Sequence, residues 1–111
     1  MAYNETLADR VRTRLNKQKG FSEKKMFGGI CFLLNGNMCC GVTGDDLMLR
    51  LGQEAAAVAL NEPHTREMDF TGRPLKSMIF VDSAGYEADD DLANWVQRAV
   101  NFCRSLPPKS K

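Results

Sequence analysis

The amino-acid sequence predicts an α+β domain, a two-layer sandwich of an antiparallel sheet and helices in the order α-β-β-β-α-β-β-α. Three observations lead there. Apolar residues recur at helical spacing near both ends of the chain, at Leu7, Ala8, Val11 and Leu15 and again from Leu92 to Leu106. Between them, Asn35-Gly36 separates two apolar runs and is the strongest short hairpin signal, since a type I′ turn needs positive φ at both central residues. The length of 111 residues and hydrophobic fraction of 43% suit one core, so residues 1–111 are expected to form a single domain.

Taken in order, Asn4 is a good N-cap for the first helix, and Lys19-Gly20 carries its stop signal. A long apolar strand is expected from Met26 to Leu34, with the return strand from Met38 to Val42. After a turn at Gly44-Asp45-Asp46, Leu47 to Leu51 alternates as a third strand. Gln53 to Leu60 is an alanine-rich helix closed by Asn61 and Pro63. Residues 64–75 read as irregular, with a short strand at Glu67 to Phe70 and a turn at Gly72-Arg73-Pro74, and Ser77 to Val81 is the last strand. Residues 82–85 are a loop. The final helix starts at Asp89-Asp90-Asp91, where carboxylates favour the positive end of the helix dipole, and stops before Pro107-Pro108.

No apolar stretch approaches the roughly 20 residues needed to span a membrane, and the N-terminus lacks the pattern of a signal peptide. The expectation is a cytoplasmic protein with no membrane association. The four cysteines, Cys31, Cys39, Cys40 and Cys103, include no C-x-x-C pair, and His64 is the one histidine, so no zinc ligand set and no cofactor is expected. The net charge of +1 is unevenly spread. Arg10, Arg12, Arg14, Lys17, Lys19, Lys24 and Lys25 crowd the first 25 residues, whereas residues 82–111 open with the acidic cluster Asp82, Glu87, Asp89, Asp90 and Asp91. A basic first helix suits an acidic partner or nucleic acid; it equally suits a solvated face.

The first strand is apolar on both faces, with Met26, Ile30, Phe32 and Leu34 on one side and Phe27, Cys31 and Leu33 on the other. Met78-Ile79-Phe80-Val81 shows the same pattern. Helices cover only one face of a two-layer sheet, so a second subunit over the other face, making a homodimer, is the expected arrangement. The alternative is that residues 61–76 fold across it.

No catalytic site is expected. A regular two-residue turn would pair Cys31 with Cys40 at a non-hydrogen-bonded position, with Cα atoms about 4.5 Å apart. Those two thiols are either a redox pair or two small buried hydrophobes. His64 stands without a local catalytic signature, and Gly28-Gly29 and Gly41 to Gly44 do not match a phosphate loop. Lys24, Lys25, Arg73 and Lys76 flank strand entrances and are the candidates for contact with an anion or an acidic partner, unless they serve to block edge pairing.

Several segments resemble the TfoX N-terminal domain family of bacterial competence regulators. These are Glu23-Lys24-Lys25-Met26-Phe27-Gly28-Gly29, Phe32-Leu33-Leu34-Asn35-Gly36-Asn37-Met38, Met68-Asp69-Phe70-Thr71-Gly72-Arg73-Pro74, and the Trp95 helix ending Arg104-Ser105-Leu106-Pro107. The resemblance implies a secretion-chaperone-like fold that often forms dimers, and the expectation is a stand-alone N-terminal domain. It brings no catalytic residues. Three functions follow as expectations: a non-enzymatic regulatory or protein-interaction domain with an unidentified regulatory protein as partner, a nucleic-acid-associated transcriptional regulator using the basic helix, or a thiol redox switch.

Overall fold

A computed structural model describes residues 3–26, 28–70 and 73–107. Helix α1 (Glu5–Leu15) begins on Asn4, whose side-chain oxygen accepts the Leu7 N–H at 3.0 Å. It stops at Leu15 with Asn16 as C-cap, short of the glycine signal; Gly20, with φ of 80°, instead turns the chain into the sheet.

Strands β1 (Phe21–Met26), β2 (Gly29–Leu34), β3 (Asn37–Thr43) and β4 (Asp46–Arg50) form a meander. Helix α2 (Gln53–Ala59) follows, then β5 (Thr65–Phe70) and β6 (Arg73–Val81), a short helix α3 (Ser83–Tyr86) and the long helix α4 (Asp89–Arg104). The six strands are ordered β1-β2-β3-β4-β6-β5, and every neighbouring pair is antiparallel.

The α+β class and antiparallel sheet agree with the sequence, with one strand more than expected. The apolar run from Met26 is broken at Gly28, whose φ of 72° is the left-handed conformation glycine tolerates, so β1 pairs back on β2. Gly29 then lies so close to β3 that a Cβ there would fall 1.9 Å from the Val42 carbonyl oxygen. Residues 65–70, expected to be largely irregular, extend the sheet as β5, and β6 opens at Arg73, ahead of the expected start at Ser77. The expected turn at Gly72 lies partly outside the described residues, as does Phe27.

The hairpin forms where expected, with Asn35 at φ 54° and Gly36 at φ 82°. Its register is regular for only two pairs, Leu34 with Asn37 and Leu33 with Met38. A bulge then inserts Cys39, so Phe32 pairs with Cys40 and Cys31 with Gly41. The expected Cys31–Cys40 pairing is therefore incorrect: one extra residue shifts the register and removes the cross-strand basis for that redox pair.

The helices lie on one face. Leu7, Val11 and Leu15 of α1, Ala56 and Ala59 of α2, Tyr86 of α3 and Leu92, Trp95, Val96 and Ala99 of α4 share a core with Ile30, Phe32, Leu34, Val42, Leu47, Leu49, Ile79 and Val81. Residues 65–70 and 73–76 run within the sheet rather than across its other face.

Candidate interaction surface

Directly opposed residues on neighbouring strands point to the same side of a sheet. The register therefore traces one row across all six strands on the side away from the helices: Lys24, Cys31, Gly41, Met48, Phe80 and Arg66. Cys31, Met48 and Met78 form a second buried cluster on that side, with half-buried Met38 and Phe80 packed against it. Among the described residues, no helix side chain belongs to this cluster. Burial raises the Cys31 thiol to about 11. Arg66 lies over the Phe80 ring, 4.7 Å from its centroid, and its Nη1 donates to Asp46 Oδ1 at 3.1 Å. Cys31 and Met48 are fully buried within the single chain, so the apolar part of this face that reaches solvent is half-buried Met38 and Phe80, with exposed Lys24 at one end and the Arg66–Asp46 pair at the other.

The four basic candidates do not form one rim. Lys24 and Lys25 are on β1, at one edge of the sheet, and alternate between its faces. Lys76, exposed, and Arg73 are on β6, about 19 Å away at four strand spacings. The arginines of the basic helix are engaged inside the molecule. Arg10 donates to the carbonyls of Tyr86 and Glu87 and to the Asp89 carboxylate at 2.8 Å, Arg12 donates from Nε to Glu23 at 2.6 Å, and Arg14 donates to the Asp89 carbonyl. Arg10 and Arg14 thus clasp α1 to the start of α4, whereas Arg12 ties it to Glu23 of β1.

The family model of the TfoX N-terminal domain matches residues 13–103. This chain belongs to the TfoX N-terminal domain family. The match runs from the last turn of α1 to the last turn of α4 and includes every residue of the open-face row. No curated protein and no solved structure matches the chain. The family is one of regulators rather than known catalysts.

Within this TfoX N-terminal domain the remaining chemistry lies in the thiols. All four cysteines are free and buried. Cys39, Cys40 and Cys103 belong to the core on the helix side, where the Cys103 thiol donates to the Asn37 carbonyl at 3.5 Å, whereas Cys31 lies in the cluster on the other face. His64 Nδ1 is 3.5 Å from Asp82 Oδ1, with both side chains about half exposed. Among the described residues, no group of three His, Cys, Asp or Glu side chains is placed to hold a metal ion. No helix of the described chain is long and apolar enough to cross a membrane.

Sequence reasoning missed two surface features. Arg66 fell in a segment read as irregular, although the alternation around Phe80 signalled the face it borders. Between α2 and α4 lies a groove of about 720 Å³, floored by Leu51, Val58 and Phe102 and crossed by the Glu62–Arg98 ion pair at 2.7 Å. Val58 is 66% exposed there, and Gly52 admits the Phe102 ring so closely that a Cβ would meet it at 2.7 Å. Only the apposition of two helices distant in sequence makes this groove.

Proposed function

We propose that this chain is a non-enzymatic protein-interaction domain in a regulatory setting, acting as a homodimer through the open face of its sheet. The observation that carries the reading is the second apolar cluster, Cys31, Met48 and Met78, which no described helix side chain joins and against which Met38 and Phe80 pack half-buried. An apolar centre with charges toward its ends is the usual anatomy of a protein interface. A two-fold axis would lay the same patch on itself, which needs no second evolved surface. That residues 65–70 and 73–76 run within the sheet supports a second subunit, in place of residues 61–76, as the cover of that face. Family membership supports the regulatory setting, and four free buried thiols suit a reducing compartment such as the cytoplasm. A heterologous regulatory protein would dock on a surface of this dimer. Light scattering across a dilution series tests the reading: a mass of two chains that falls on dilution supports it, and one chain throughout the micromolar range contradicts it.

A further inference from the structure

Helix α2 turns only Ala56 and Ala59 into the core. Val58 stands 66% exposed over the groove that α2 makes with α4. A β-branched residue holds a helix less well than the alanines around it, so Val58 serves neither the core nor the helix. Its stiff χ1 does present a fixed apolar surface. Across the groove the half-buried Phe102 ring is held against Gly52, where a Cβ would meet it at 2.7 Å. The apolar floor is therefore preformed on both sides. We propose that the α2–α4 groove docks an amphipathic helix of a partner protein, one with an apolar stripe flanked by a lysine or arginine that meets Glu54.

The charges select the occupant. Glu54 lies in the first turn of α2, is exposed at the groove and, among the described residues, has no ion-pair partner. Glu62, the other groove carboxylate, is already paired with Arg98, which lies 4.5 Å from the centroid of the Trp95 ring. One negative charge is left beside an apolar floor, which favours a cationic partner and disfavours anionic lipid head groups. The walls are helices whose backbones are bonded internally, so an extended segment finds no strand edge to join there. A helix satisfies its own backbone and needs only side-chain contacts. The seven residues of α2 span about 10 Å, the length covered by anchors at i, i+3 or i+4, and i+7 of a docked helix. A second copy of this chain is a poorer fit. Among the described residues the large apolar side chains left exposed are Val58 and Leu60, so a second copy would bring its own α2, with Glu54 facing Glu54. The inference rests on the reading of this chain as an interaction domain, and it names the surface and the chemistry of the regulatory partner.

The test is selection of a displayed library of helix-forming peptides, about three turns long and randomised along one face, on the purified full chain. Enriched peptides should converge on apolar residues at i, i+3 or i+4, and i+7 with a lysine or arginine beside them. Fluorescence anisotropy of a labelled enriched peptide then locates the site. Val58→Asp should weaken binding by at least about tenfold, as expected for a central anchor. Val58→Ala, which keeps or raises helix propensity, and Glu54→Gln should each weaken it about threefold or more. Phe80→Asp, on the open face, should leave it unchanged, with circular dichroism confirming that each variant is folded. Binding retained by a monomeric chain would count against the homodimer alone, whereas a dimer that enriches no helical peptide would overturn this proposal alone. Convergence on acidic peptides, or binding lost in Phe80→Asp and kept in Val58→Ala and Val58→Asp, would also overturn it.

Discussion

Replacing Gly41 with alanine probes the bulged register and the packing of the open face together. A Cβ at residue 41 would lie 2.5 Å from the Ile30 carbonyl oxygen, 2.9 Å from Met48 Cε and 3.2 Å from Cys31 Cα. The methionine end can swing aside, but the Ile30 carbonyl is backbone within the β2–β3 ladder, and reaching ordinary contact requires a shift of about 0.9 Å. Overpacking of this kind costs about 1–3 kcal/mol. Alanine recovers about 0.5–1 kcal/mol of the conformational penalty that glycine carries in a strand. The net expectation is a loss of about 1–2 kcal/mol, which lowers a urea midpoint by about 0.5–1 M at the slope usual for a domain of this size. Urea unfolding followed by circular dichroism, with the slope checked for constancy, measures it. Adding Met48→Ala should relieve only part of the added strain, giving a coupling of about 0.5–1 kcal/mol in a double-mutant cycle. An unchanged or raised midpoint for Gly41→Ala would refute the close approach of β2 and β3 on which the row Lys24–Cys31–Gly41–Met48 depends.

Two further changes test separate parts of the account. Asn4→Ala removes the acceptor for the Leu7 N–H and should cost about 1 kcal/mol, read as a lower thermal midpoint. Cys31 gives the pH dependence: its folded value of about 11 lies above the ordinary thiol value of 9.0, so the folded state holds its proton while the unfolded chain releases it. Stability should therefore be complete below pH 9 and decline toward pH 11, with about 2–3 kcal/mol of that decline due to this thiol. Cys31→Ala should flatten the decline measured by urea unfolding between pH 8 and 11; an identical decline would contradict the burial of Cys31.

The parts of the fold legible in the sequence are those fixed by local chemistry. Asn4 caps α1, Asn35-Gly36 turns the hairpin, and the acids Asp89, Asp90 and Asp91 begin α4, because each acts on backbone groups within a few residues. The break at Gly28 was marked only by a glycine pair inside an apolar run, which equally suits a bulge. The insertion of Cys39 had no local signal, since Met38-Cys39-Cys40 alternates acceptably in either register. The basic helix was legible as charge but not as a clasp, because the Arg10 acceptors at Tyr86, Glu87 and Asp89 lie more than 70 residues away. The two-faced apolar pattern was legible, and it is this pattern that becomes the open face.

The assignment of that face as the subunit interface meets its most direct test in sedimentation equilibrium of the wild-type chain beside Phe80→Asp and Val58→Asp. Phe80 is on the open face and Val58 in the α2–α4 groove, so the pair separates the two apolar surfaces. The account predicts twice the 12.4 kDa chain mass for the wild type and for Val58→Asp, and a folded 12.4 kDa monomer for Phe80→Asp. A wild-type mass of 12.4 kDa, or a dimer lost in Val58→Asp and kept in Phe80→Asp, would contradict it.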